Sequence, residues 1–237
     1  MIQIKKVSKQ FGNLEALREV DLSCDAGQCI ALIGPNGCGK TTLIKSILGM
    51  TIPGSGTILF DGKDIRDDEQ YRRKIGYMPQ IGRYPSNMSI GQVIEMIRDI
   101  RSSDDRLDED LIKAFGLKDL LHKQMGTLSG GTTQKVSASL AFLFSPDALI
   151  LDEPTAGLDP VSSEMLKEKI IHQHRQGKLV IITSHLLSEL DELVTHVVMM
   201  QEGRLLFHLP TEALKEKTHS PNLAKAITYI LKRGNVQ

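Results

Sequence analysis

Gly34-Pro35-Asn36-Gly37-Cys38-Gly39-Lys40-Thr41 fits the phosphate-binding pattern G-x-x-x-x-G-K-[ST] at every fixed position. Ahead of it, Cys29-Ile30-Ala31-Leu32-Ile33 is a short apolar run that reads as a buried strand. Behind it, Thr42-Leu43-Ile44-Lys45-Ser46-Ile47-Leu48 reads as a helix with Leu43, Ile44, Ile47 and Leu48 on one face. Strand, glycine loop and helix are the context the pattern requires, and they predict an α/β fold. The glycines let backbone N–H groups close around phosphate oxygens, and the helix N-terminus adds its positive end. Lys40 would reach the β- and γ-phosphates, and the Thr41 hydroxyl would ligate Mg²⁺. Cys38, at the same helix N-terminus, is expected to favour its thiolate and to react with maleimides unless nucleotide protects it.

The 237 residues suit one large domain, or one domain with a subdomain. Lys+Arg and Asp+Glu are equal at 29 each, which argues against a nucleic-acid partner, where a basic excess is expected. Cys24, Cys29 and Cys38 show no C-x-x-C spacing, so no disulfide framework is expected. His172 and His174, two apart, do not share a helix face, and no metal-ligand cluster emerges around them. Met1 leads into Ile2-Gln3-Ile4 without a signal-peptide pattern. No apolar run approaches the ~20 residues of a membrane helix. The expectation is a cytoplasmic chain that reaches a membrane only through a partner.

Along the chain, Ile2, Ile4 and Val7 suggest a half-exposed strand, a turn at Gln10-Phe11-Gly12-Asn13, and a returning strand from Leu17 to Cys24. Phe11 at the hairpin tip offers a stacking surface for a base. Gly56 to Phe60 and Ile75 to Pro79 are further strands. Residues 81–145 read as all helical, with Ser89 as an N-cap and Gly116 as a stop, and so look like an inserted subdomain in a strand–helix chain. Ala148-Leu149-Ile150-Leu151 and Leu179-Val180-Ile181-Ile182-Thr183 are buried strands, Val161 to Gln173 a helix, and Val197 to Leu209 a hairpin about Glu202-Gly203. Leu223, Ala226, Ile227, Ile230 and Leu231 form the apolar stripe of a terminal helix.

Asp152 and Glu153 end an apolar strand, where ligands bind in parallel α/β sheets. Asp152 would hold Mg²⁺, and Glu153 would act as general base on the attacking water. Leu128-Ser129-Gly130-Gly131 precedes a helix and supplies a second anion-binding helix end. Gln80 and His185 both follow strands at the same sheet edge, the first placed to feel Mg²⁺ or water and the second to contact a γ-phosphate.

From residue 2 to about 209 these features resemble, in order, the ATP-binding subunit of an ABC transporter. Phe11 matches the adenine-stacking aromatic, and Gly34 to Thr42, Thr42 included, match Walker A. Gln80 matches the Q-loop, Leu128 to Gly131 the signature, Leu149 to Asp152 Walker B and Glu153 its catalytic glutamate. Ala156-Gly157-Leu158-Asp159 match the D-loop, whose Asp159 belongs to the nucleotide site, and His185 the switch histidine. The signature usually continues with Gln, where this chain has Thr132.

The resemblance implies a P-loop NTPase (RecA-like) core over residues 1–80 and 146–209, with an antiparallel β subdomain. It also implies a helical signature subdomain over 81–145 and a C-terminal helical tail over 210–237. It implies ATP and Mg²⁺ as cofactors. It implies a head-to-tail homodimer in which Ser129 and Gly130 of one copy close on nucleotide held by Lys40 of the other. It implies a separate polytopic permease, with the subunit peripheral on the cytoplasmic face of the membrane. A single cassette with a short tail is similar to ABC-2-type exporter ATPases. Met78-Pro79-Gln80-Ile81-Gly82-Arg83-Tyr84-Pro85 also resembles the NosF-type ATPases of nitrous oxide reductase maturation, a copper-processing system. Arg83, Tyr84, Pro85 and Met88, between Ile81 and Ile100, are the expected docking residues for the membrane partner. A soluble, non-transport ABC ATPase and a P-loop kinase are the competing classes. The first would carry long coiled-coil insertions or tandem cassettes, and the second would lack the signature.

Overall fold

The computed structural model describes residues 1–101, 107–184 and 190–233. Strands β1 (Ile2–Phe11) and β2 (Leu14–Cys24) pair antiparallel about the two-residue turn Gly12-Asn13. Ile2, Ile4 and Val7 are all buried although Val7 breaks the alternation. The ladder shifts register between Ile4 and Val7, with Lys6 at φ 47°, so a bulge turns Val7 back to the core face. β2 starts three residues earlier than its apolar pattern suggests, because Leu14 and Glu15 are exposed there and are held only by the hairpin ladder. With β4 (Ser55–Phe60) and β5 (Lys63–Asp64) these strands form a four-stranded antiparallel sheet in the order β2-β1-β4-β5.

The second sheet runs β10-β9-β3-β8-β7-β6. Its parallel members are β3 (Cys29–Ile33), β6 (Ile75–Met78), β7 (Ala148–Asp152), β8 (Leu179–Thr183) and β9 (His196–Gln201). β10 (Arg204–Pro210) is an antiparallel edge. β3, β7 and β8 are buried throughout, as strands covered on both faces must be, which is why they read as unbroken apolar runs. Alternate residues of β3 enter two cores. Ile30 and Leu32 pack with helix α1 (Lys40–Ile47) and the antiparallel sheet. Cys29, Ala31 and Ile33 pack on the other face, with the helices described next.

Helices α2 (Ile90–Arg101), α3 (Asp110–Ala114) and α4 (Gly130–Phe142) lie between β6 and β7 in the chain. Ser89 opens α2 with a reciprocal cap: its hydroxyl accepts the Gln92 backbone N–H at 3.2 Å, and the Gln92 side-chain Oε1 accepts the Ser89 N–H at 2.9 Å. α5 (Pro160–Arg175) follows β7. Its Lys169 is buried and donates to Asp108 at 2.6 Å and Asp110 at 2.8 Å, tying α5 to the entry of α3. Removing Lys169 would leave the nearly buried Asp108 carboxylate uncompensated, at a cost of about 3–5 kcal/mol.

α6 (Thr211–Thr218) falls within the helical tail expected over 210–237, although Ala213 and Leu214 are its only apolar residues and give no stripe. α7 (Leu223–Arg233) buries Leu223, Ala226, Ile227 and Ile230, and its first N–H is taken by the Asp191 carboxylate at 3.0 Å.

Tyr84 and Met88 differ from their expected role as docking residues. Both pack against the core beneath the helical segment, and the Tyr84 hydroxyl meets Ser137 Oγ of α4 at 2.7 Å. Burial pushes the Tyr84 phenol above its ordinary pKa. Desolvating the ring and satisfying its hydroxyl inside the fold outweighs leaving it on the surface. Ile81, Arg83 and Pro85 remain exposed on the same stretch.

Candidate functional site

A cleft of about 460 Å³ lies at the C-terminal ends of β3, β6 and β7. Phe11, Leu14 and Ala16 of the β1–β2 hairpin form one wall. Asn36, Gly37 and Gly39 to Thr42 of the phosphate loop form the floor, and Gln80, Asp152 and Glu153 close the far side. Sheet order explains the gathering. β3 carries the loop, β7 carries the acidic pair and β6 ends two residues before Gln80, so three separated stretches meet at one sheet edge.

The loop enters α1 through Gly39, at φ 111°, with no side chain capping the helix. A Cβ on Gly39 would stand 2.5 Å from the Ala16 carbonyl oxygen, so the loop and the hairpin approach closely only because glycine is there. The uncapped N–H groups of the first turn are donors for an anion. Lys40 curls over the loop, its ammonium donating to the carbonyls of Gly34 at 2.7 Å and Pro35 at 3.2 Å. Thr41 is exposed and Thr42 half-buried beside it. Phe11 is half exposed, with the Lys9 ammonium 5.1 Å from its ring centre. Cys38 is 3 % exposed, behind the loop. The sequence reading made this thiol reachable by reagents; the loop folds its side chain inward instead, because the backbone N–H groups and not the side chains face the cleft.

Asp152 and Glu153 are both nearly buried. Glu153 takes φ 52°, a left-handed backbone that glutamate adopts only where its surroundings impose it. Its N–H is donated to the Thr183 carbonyl at 3.1 Å and to Thr183 Oγ1 at 3.0 Å, while its own carbonyl accepts from Gln134 Nε2 of α4 at 3.4 Å. Thr183 Oγ1 in turn donates to Asp152 Oδ1. Neither Thr183 nor Gln134 stood out in the sequence. The only available signal was that Thr183 is the one polar residue of an otherwise apolar strand, and its partner could be named only once β8 was seen beside β7.

Ser129, Gly130, Gly131 and Asp159 do not line this cleft. Ser129 caps α4, its hydroxyl accepting the Thr132 N–H at 3.3 Å and meeting the Thr132 hydroxyl at 2.9 Å, so the residue that departs from the usual signature braces the signature serine. Ser129 and Gly130 are exposed, whereas Gly131 abuts Gly157, whose carbonyl oxygen would stand 2.8 Å from a Cβ there. Asp159 caps α5, accepting the Ser162 N–H at 2.9 Å and its hydroxyl at 2.7 Å. The Lys135 ammonium, 2.8 Å away, and these Ser162 bonds hold the Asp159 carboxyl well below the usual carboxylate range. His185 lies outside the described residues.

The family model for ABC transporters matches residues 17–156. The chain is 30 % identical to the ABC transporter ATP-binding protein NatA of Bacillus subtilis over 99 % of both chains. It is 32 % identical to the Nod factor export ATP-binding protein I of Cupriavidus metallidurans, over 86 % of this chain and 69 % of that one. Among solved structures, an ATP-binding subunit of an ABC transporter superposes with a TM-score of 0.90 at 26 % identity, covering 98 % of this chain and 99 % of that chain. A dimeric ATP-binding cassette in a post-hydrolysis state with ADP and phosphate superposes with a TM-score of 0.79 at 21 % identity, covering 89 % and 98 %. With the phosphate loop and the acidic strand end lining one cleft of a P-loop NTPase fold, the chain belongs to the ABC transporter family as an ATP-binding, ATP-hydrolysing subunit.

Proposed function

We propose that two copies of this chain bind two ATP molecules head to tail and that their closure and release drive a separate membrane permease of the exporter type. The observation that carries this reading is the division of the phosphate-binding parts. Phe11, Lys40, Gln80, Asp152 and Glu153 share one cleft, while Ser129 and Gly130 lie exposed outside it. A helix end with an exposed serine and glycine is useful to nucleotide held by another copy. A dimeric cassette with a similar fold supports the pairing of two copies.

In each cleft Phe11 stacks on the base, a contact worth roughly 1–3 kcal/mol. Lys40 exchanges the Gly34 and Pro35 carbonyls for the β- and γ-phosphates. The Thr41 hydroxyl, the Gln80 amide and the Asp152 carboxylate line the same cleft and are the oxygen donors that suit Mg²⁺, which when bound supplies charge neutralisation at the phosphates. Glu153 accepts the proton of the attacking water. Asp159, which caps α5 beside the signature helix, holds the dimer face in shape.

No helix among the described residues is long and apolar enough to cross a membrane. The seat we propose, from the resemblance to ABC ATP-binding subunits, is the cytoplasmic face, through the permease. Ile81, about 70 % exposed, lies on one stretch with exposed Arg83 and Pro85, and we assign that stretch as the docking face. Nod factor export is the role named for one relative and sulfate or thiosulfate import that of another, so the exporter reading rests on the resemblance to ABC-2-type cassettes. Within exporters, the stretch Met78 to Pro85 favours the NosF type, in which copper would be handled by another component.

The test is Glu153→Gln. It should bind ATP, hydrolyse it on the order of 10²–10⁴-fold more slowly, and elute as an ATP-dependent dimer. Lys40→Ala should lose nucleotide affinity itself. Near-normal turnover by Glu153→Gln would remove Glu153 as the base, and a monomer at saturating ATP would remove the dimer.

A further inference from the structure

Thr183 ends β8 at 1 % exposure, and the parallel register sets it opposite Asp152. Its hydroxyl has one proton to give and lone pairs to receive. The proton goes to Asp152 Oδ1, and a lone pair accepts the Glu153 N–H at 3.0 Å. One buried oxygen atom therefore joins the side chain of one acidic residue to the main chain of the next. Glu153 needs such a tie. Its left-handed backbone costs a side-chain-bearing residue of order 1–3 kcal/mol and persists only where neighbours over-determine it. Gln134 holds the other end of the same residue through its carbonyl, at 3.4 Å. Thr183 itself does not line the cleft, so any influence on chemistry passes through Asp152 and Glu153.

We infer that Thr183 is a positioning residue for ATP hydrolysis: its hydroxyl fixes the Asp152 carboxylate and the Glu153 backbone as one unit, so that both acids are aimed into the cleft together. The inference rests on the roles given to Asp152 and Glu153 above. A packing role alone predicts something different. Valine has nearly the same shape as threonine, so it would fill the site, but it leaves Asp152 Oδ1 without its donor and gives Glu153 N–H only the Thr183 carbonyl.

The full chain carrying Thr183→Val or Thr183→Ser is compared with the parent and with Glu153→Gln. Steady-state turnover is measured across a Mg²⁺ titration. ADP affinity is measured with Mg²⁺ and again in EDTA, and melting temperature is recorded for each variant. For Thr183→Val we expect a loss of about 10–100-fold in turnover or in Mg²⁺-dependent ADP affinity, the usual size when an outer-shell partner is removed. ADP affinity in EDTA stays at the parent value, the melting temperature falls by no more than the loss of one buried hydrogen bond brings, and Thr183→Ser restores turnover. Parent-like turnover and Mg²⁺ dependence in Thr183→Val would overturn the inference. So would a Thr183→Ser variant as impaired as Thr183→Val, or an equal loss in EDTA together with a larger fall in melting temperature. If Glu153→Gln keeps full turnover, the base assignment fails separately, and the Mg²⁺-dependent ADP affinity of Thr183→Val still decides whether Thr183 positions Asp152.

Discussion

The Lys135 ammonium lies 2.8 Å from the Asp159 carboxylate, and that carboxylate also caps α5 through Ser162. The helix that opens with Ser129 is thus fastened, within one chain, to the helix that follows the acidic pair. Gly131 against Gly157 brings the two segments close enough for the pair to form.

Substitution at Asp159 should separate the two roles of its carboxylate. Asparagine caps a helix about as well as aspartate, but it cannot hold the ion pair, and alanine does neither. Melting temperatures should therefore rank parent above Asp159→Asn above Asp159→Ala. Equal melting of the asparagine and alanine variants would mean that the cap contributes nothing here.

The three thiols should be silent in the native protein. Cys24 and Cys29 are buried, and burial pushes each thiol up to about 12, so neither is a thiolate at pH 8. Cys38 is enclosed behind the phosphate loop. A maleimide should modify no cysteine until denaturant is added, and all three of the chain's cysteines afterwards. Rapid native labelling that ATP blocks would show that the loop opens around Cys38.

Tyr84 and Arg83 should part company when mutated. Tyr84→Phe removes the hydrogen bond to Ser137 and should lower unfolding free energy by roughly 0.5–1.5 kcal/mol in urea titrations. Tyr84→Ala adds lost packing and should cost about 3–5 kcal/mol at most, the range for truncating a large aromatic. Arg83→Glu is on the exposed side and should leave stability unchanged while weakening co-purification with the permease. A stability loss from Arg83→Glu with partner binding intact would sink that assignment.

Acid should loosen the β9–β10 edge. His196 and His208 pack at a tilt of 56° with ring centres 5.5 Å apart, and His208 Nε2 is buried without a hydrogen-bond partner. Desolvation lowers both pKa values; each imidazole is further influenced by Asp25, which opposes the shift, and His208 by His196, which adds to it. A lowered folded-state value means the unfolded chain binds protons more readily. The contribution to stability is therefore complete above the ordinary value of 6.5 and is lost as pH falls through the lower folded values. The melting temperature should drop between pH 7.5 and 5, and His196→Gln with His208→Gln should drop less. An unchanged pH slope in the double variant would place the acid sensitivity elsewhere.

Contiguous chemistry was legible without coordinates. The phosphate loop and its flanking strand and helix are one unbroken stretch whose glycines, lysine and threonine act through local backbone geometry, so sequence alone located them. The acidic pair was legible for a similar reason: an apolar run ending in Asp152-Glu153 says where a buried strand reaches the sheet edge. Ser89 and Gly116 marked a helix start and a helix stop because capping and left-handed backbone are decided by near neighbours.

The tertiary structure alone decided what depends on which strands adjoin. Thr183 bears on Asp152 because β8 lies beside β7, and Gln134 reaches Glu153 because α4 packs there; no spacing along the chain encodes either contact. Local composition likewise could not say which side of the Arg83–Met88 stretch faces inward. A proline, an aromatic and a methionine suit a docking groove and a core equally well, and the Ser137 hydroxyl of a distant helix settled Tyr84. α6 lies in the expected helical tail, but its bounds were not legible, because it is held by the packing of Leu214 and the bond from the Thr211 N–H to the Thr195 carbonyl rather than by an apolar stripe of its own. Sequence fixes a site when its groups are held by neighbours along the backbone. Where a side chain is oriented by a partner brought close only by the sheet, the fold has to form before the site exists.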